Sequence, residues 1–161
     1  MLPDTTMHEA EALLALCRSK GIMLAIAECC TGGLIAAALT ALAGSSDVLD
    51  RGFVPYSNEA KNQMIGVPME LIECHGAVSE QVAVAMADGA LARSRAAIAV
   101  SVAGVAGPGG GSADKPIGLV CFGLARTGKP AFSERQVFPG DRGAIRAATV
   151  AHAFQMIRAA L

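Results

Sequence analysis

The sequence predicts a three-layer α/β/α sandwich on a mixed, mostly parallel sheet. Three observations lead there. Short apolar runs of strand length alternate with longer segments of helical period over much of the chain, the pattern of parallel strands covered on both faces. Late in the chain two strand-like runs are separated only by "RTGKP", a hairpin that puts one antiparallel strand into the sheet. Of the 161 residues 53% are hydrophobic but only 4% aromatic, so Ala, Val, Leu, Ile and Met must form one closely packed core. A single domain over residues 1–161 fits that length.

The elements follow in order. "HEAEALLALCRSKG" carries apolar residues at 10, 13, 14 and 17, a helical stripe stopped by Gly21. "IMLAIA" (22–27) reads as a buried strand. "TGGLIAAALTALAG" reads as a helix entered through Thr31 and closed by Gly44. "RGFVPYS" (51–57) reads as a strand in which Pro55 forces an end, an edge or a bulge. "NEAKNQMIG" is a short helix, and "SEQVAVAMADGALARS" a longer one with Ser79 as N-cap. "AAIAVSVAG" (96–104) is a strand feeding a glycine-rich loop. "LVCFGLA" and "FSERQVF" form the hairpin, and "DRGAIRAATVAHAFQMIRAAL" closes the chain as a helix.

Several function classes are excluded. Thirteen basic and fourteen acidic residues give a net charge of -1, with no basic block, so nucleic-acid binding has no support. The opening "MLPDTTMHEAEALL" has acid where a signal peptide needs base, which points to a cytoplasmic protein. Residues 21–44 are apolar enough to raise a membrane question. Glu28 and the Thr31-Gly32-Gly33 step interrupt that run, and a strand followed by a helix explains it better. Five cysteines without CxxC spacing and three scattered histidines assemble no metal site.

Chemistry in such a fold belongs at the carboxyl ends of the strands. The first strand ends in Glu28-Cys29-Cys30-Thr31-Gly32-Gly33. A cysteine at a helix entry meets unpaired N–H groups that favour thiolate and can hold an oxyanion. Cys29 and Cys30 could equally be small packing residues. The second strand ends at Tyr56-Ser57-Asn58, with Lys61 one helical turn on; Tyr56 and Lys61 could be proton donor and base beside a nucleophile, or a strand cap and a solvated side chain. The third opens into Gly104 and the loop around Gly109 and Gly110, whose backbone N–H groups could nest a phosphate. Arg142, at the start of the last helix, is an anion clamp or a solvated residue.

Together "AECCTGG", "AGSSDVLDRGFVPYSNEAK", "MIGV", "HGAVSE", "GVAGPGGGS", "KPIGLV" and "GDR" resemble the CinA carboxy-terminal-domain family, the bacterial nicotinamide-nucleotide amidases. The resemblance covers nearly the whole chain. It implies an anticodon-binding-domain-like sandwich, hydrolysis of nicotinamide mononucleotide without metal or cofactor, and a homo-oligomer. Its serine nucleophile falls on Cys29, and its Tyr and Lys partners on Tyr56 and Lys61. Its usual Thr before that tyrosine is Pro55 here, and a hydroxyl residue is Ala103. It implies substrate contacts from Glu28, Thr31, Gly32, Gly33, Asn58, Ala103, Gly104, Gly109 and Gly110, with the phosphate-side arginine at Arg142.

Overall fold

In the computed structural model, which describes residues 2–161, a five-stranded sheet in the order β2-β1-β3-β4-β5 organises the chain. The strands are β1 (Leu24–Glu28), β2 (Leu49–Phe53), β3 (Ile98–Gly104), β4 (Leu119–Arg126) and β5 (Lys129–Val137). β1 pairs in parallel with β2 and β3, while β4 runs antiparallel to both β3 and β5. The expected single reversed strand is therefore β4. Helices α1 (Asp4–Lys20), α2 (Leu34–Thr40), α3 (Asn58–Ile65), α4 (Met69–His75), α5 (Glu80–Ala92) and α6 (Arg142–Ala160) complete the chain.

Because strand side chains alternate faces, the central strands β1 and β3 feed two cores. Leu24, Ile26, Val100, Val102, Val120 and Phe122 pack with α1, α2 and α6. Ala25, Ala27, Ala99 and Ala103 pack with Ile65, Val82 and Met86 from α3 and α5. The second face uses small residues because α5 lies hard against the sheet. A Cβ on Gly123 of β4 would stand 2.2 Å from the Ala83 carbonyl oxygen, so that position admits no side chain. Ser101 reaches across the same gap and donates its hydroxyl to Ala83 O at 2.5 Å.

The differences from the sequence reading that bear on the site are these. The helix expected from Thr31 to Gly44 is only Leu34–Thr40. Gly32 (φ 58°) and Gly33 (φ 102°) make a left-handed turn before it, and a 3-10 turn at Ser45–Asp47 follows. The second strand ends at Phe53, before Pro55, which has no N–H to give a ladder. An unforeseen helix, α4, starts directly after Pro68, whose extended backbone occupies its N-cap. Ser79 does cap α5, accepting the Val82 N–H at 3.3 Å.

Candidate active site

The parallel pairing of β1 with β3 extends one residue past β1, where the Cys29 N–H donates to Val102 O at 3.1 Å. Cys29 and Cys30 then fall on opposite faces. Cys30 joins the core under α1, α2 and α6, where burial pushes its thiol up to about 12. Cys29 packs at the edge of the other cluster, beside the face that holds Ala103.

Opposite Cys29 lies the amine of Lys61, on the second turn of α3. Lys61 is 1% exposed. Its Nζ stands 3.6 Å from Cys29 Sγ, 3.1 Å from Pro55 O and 3.2 Å from Tyr56 O. Ser57 starts this helix, its hydroxyl accepting the Ala60 N–H at 3.0 Å, and so sets the turn that sends Lys61 inward. No carboxylate comes within 4.0 Å of Lys61 among the described residues. An ammonium has three donors, and here they meet two carbonyl oxygens and one sulfur.

Glu28 is the other buried charge of the site, 1% exposed. Its carboxylate accepts from the Thr31 hydroxyl (2.5 Å) and from the N–H groups of Gly33 (3.2 Å), Ile35 (3.0 Å) and Ala36 (2.9 Å). Those are the open donors that a helix start otherwise offers. The sequence reading assigned them to the thiolate and the oxyanion; the structure gives them to Glu28. Gly32 N–H is also engaged, by Cys29 O at 3.0 Å. Thr31, fully buried, presents a backbone N–H with no acceptor among the described residues.

The remaining residues sit around this pair. Tyr56 lends Lys61 its carbonyl while its side chain is exposed, and Asn58 is exposed on the first turn of α3. Ala103 is fully buried on the Cys29 side of the sheet. Gly104 ends β3; a Cβ there would meet Cys30 Sγ at 3.1 Å and Leu119 O at 2.9 Å, so it is tightly enclosed. Gly109 and Gly110 are exposed in the loop beyond. Arg142 Nη1 donates to Gly107 O at 2.9 Å, tying the start of α6 to that loop. A hollow of about 520 Å³ lies there, lined by Ala106, Pro108, Ile117 and Gly140 to Gly143.

Arg146, one turn after Arg142, was not singled out from sequence. Its Nε donates to Cys30 O (3.1 Å) and its Nη2 to Thr31 O (2.9 Å). The signal was available: an i, i+4 pair shares one helix face, so an arginine placed to reach the strand ends implies a second one.

Fold and site thus define an α/β sandwich with a buried lysine on a cysteine at the end of its first parallel strand. The chain belongs to the CinA C-terminal domain family, whose profile matches residues 6–161. It is 46% identical over 157 residues to the nicotinamide-nucleotide amidohydrolase PncC of Escherichia coli K12, covering 98% of this chain and 95% of that one. A relative from Symbiobacterium thermophilum is 48% identical over 156 residues, but the match spans 92% of this chain and only 37% of that protein. The crystal structure of the competence/damage inducible protein CihA from Agrobacterium tumefaciens superposes with a TM-score of 0.96 at 47% identity. That match covers 99% of this chain and 97% of that one.

Proposed function

We propose that this protein hydrolyses the carboxamide of nicotinamide mononucleotide to nicotinic acid mononucleotide and ammonia. The observation that carries the reading is the Cys29–Lys61 contact. A fully buried lysine with no carboxylate partner needs an anion nearby. Among the described residues the candidate is the sulfur 3.6 Å away. The thiolate is the nucleophilic form of a cysteine, and an amine at that distance is placed to support it as an ammonium. The reacting pair is thiolate and ammonium.

The steps follow from that state. The Cys29 thiolate attacks the carboxamide carbon and the carbonyl electron pair moves to oxygen. As the tetrahedral adduct collapses, Lys61 gives its proton to the departing nitrogen, which leaves as ammonia. Neutral Lys61 then takes a proton from water, and the hydroxide cleaves the thioester, releasing the acid and restoring the pair. Tyr56 and Asn58, both exposed beside this cleft, contact the pyridine side of the nucleotide. The Gly104–Gly110 segment and Arg142 take its phosphate.

The names of the amidohydrolase relatives support the substrate, and the polar groups at adjoining strand ends support the binding mode. We further infer a single catalytic domain over 1–161, a cytoplasmic homo-oligomer and no cofactor. No helix among the described residues is long and apolar enough to cross a membrane.

A second reading, a nucleotide-binding module without turnover, is favoured by Ala103. It places a methyl group on the Cys29 face where the resemblance implies a hydroxyl. Ammonia release from nicotinamide mononucleotide, measured beside a binding titration, separates the two. Turnover carries the first reading; saturable binding with no ammonia carries the second.

A further inference from the structure

We propose that Arg146 is a positioning residue, which orients the peptide units after the nucleophile so that the Thr31 N–H receives the charge of an attacked carbonyl. The inference rests on Cys29 being the nucleophile, and deepens that reading.

The argument is one of peptide geometry. A trans peptide is planar, and its C=O and N–H point in opposite directions. Arg146 takes two successive carbonyls, Cys30 O and Thr31 O, with two nitrogens of one rigid guanidinium. The N–H groups across those peptides, of Thr31 and Gly32, are therefore turned away from α6. Gly32 N–H spends itself on Cys29 O, which closes the turn around the nucleophile. Thr31 N–H has no acceptor among the described residues, although Thr31 is fully buried. A buried donor left unpaired is costly, and such a group is retained where a ligand or reacting atom completes it. The α2 N–H groups cannot substitute, because Glu28 holds them.

Arg146 also explains why this turn does not relax. Gly32 and Gly33 both adopt positive φ, a conformation with many alternatives for glycine. A two-pronged hold from α6 selects one of them. Oxyanion stabilisation depends on donors fixed before the charge develops.

The test compares two reactions of the same sulfur. Acylation by p-nitrophenyl acetate passes through an oxyanion: the C–S bond forms, the tetrahedral adduct collapses, and p-nitrophenolate leaves. Alkylation by iodoacetamide forms C–S as C–I breaks and has no oxyanion. Both are followed at Cys29 in a Cys74→Ser background, since Cys74 is exposed, with Cys29→Ala as the blank. In Arg146→Gln, acylation is expected to slow about 10–100-fold, at or below the loss seen when an oxyanion donor is removed outright. Alkylation is expected to stay within about twofold, because the thiolate and Lys61 are untouched. Arg146→Lys, which keeps the charge but not the fork, is expected to lie between and serves if Arg146→Gln does not fold.

Equal losses in both reactions, or none in either, overturn the proposal, as does acylation of Cys29→Ala at the wild-type rate. If acylation and alkylation separate as expected but wild type releases no ammonia from nicotinamide mononucleotide, the positioning role stands and the proposed function fails.

Discussion

Cys29 and Cys30 are neighbours in sequence and opposites in chemistry. Strand alternation sends Cys30 into an apolar core that holds it as a thiol, while Cys29 meets a buried amine on the other face. The same contrast separates the two buried charges beside them. Glu28 is satisfied by four donors and serves the fold. Lys61 has two carbonyls and leaves its third donor to sulfur. The Cys29 face, half-buried, is where we place the substrate, and the face beneath it is closed.

The largest break of this contrast is Lys61→Met. It removes the group we propose as proton donor to ammonia, so kcat should fall by about 10²–10⁴, the range of general acid–base catalysis. Alkylation of Cys29 at neutral pH should slow, since the amine 3.6 Å from its sulfur is gone. Stability should hold or rise, because an apolar side chain of similar size avoids burying a charge. Melting curves beside activity check this: if activity and stability fall together, Lys61 belongs to the scaffold instead.

Glu28→Gln probes the satisfied charge. Gln offers one oxygen and two N–H groups to a nest of donors, so unfolding free energy should drop by about 1.5–3 kcal/mol, the worth of a hydrogen bond to a charged group. Urea denaturation reads this. A loss of activity with unchanged stability would move Glu28 to the substrate side.

Arg142→Ala tests the anion end. Binding of nicotinamide mononucleotide should weaken by about 1.5–3 kcal/mol, while nicotinamide riboside, without the phosphate, should bind both proteins nearly equally. Equal losses for the two ligands would place Arg142 outside the phosphate site.

The layers and the reversed strand were legible because burial imposes period on sequence. Val, Ile and Ala runs bounded by glycine admit few other readings. The helix after Cys30 was over-read, since its apolar run continues through the Gly32-Gly33 turn that delays it. Met69–His75 is too short to show a stripe, and only Pro68 marks its start. At the site, strand-end reasoning named Cys29 and Lys61 as separate candidates, and their contact is a product of the fold. That Glu28 would take the α2 donors could not be read. A carboxylate before a turn serves equally as ligand or cap, and donors five to eight residues further on must be folded before the choice is made. Arg146 shares a helix face with Arg142, but the carbonyls it holds lie more than a hundred residues away, so its partners could not be read.

The smallest effect should come from Cys30→Ala, and it sharpens the comparison most finely. Removing one buried sulfur deletes about a methylene's worth of packing, so stability near pH 7 should fall by only about 1 kcal/mol. Turnover should survive, whereas Cys29→Ala should abolish turnover at little cost in stability. Alkali then tests the buried thiol directly. Burial raises the Cys30 thiol from 9.0 to about 12 and the Cys17 thiol from 9.0 to about 11. A group whose folded value is raised stabilises fully below its unfolded value, and that contribution is lost as pH climbs toward the folded one. Wild-type stability should therefore decline between about pH 9 and 12, as the unfolded chain ionises thiols that the folded chain keeps protonated. Cys30→Ala removes one of those groups, so its decline should be shallower, and the two curves should converge as pH rises. Urea denaturation at pH 8 and at pH 10.5 measures the slope. Parallel curves would mean that Cys30 ionises as easily folded as unfolded, and the division of the two cysteines between a closed and an open face would be lost.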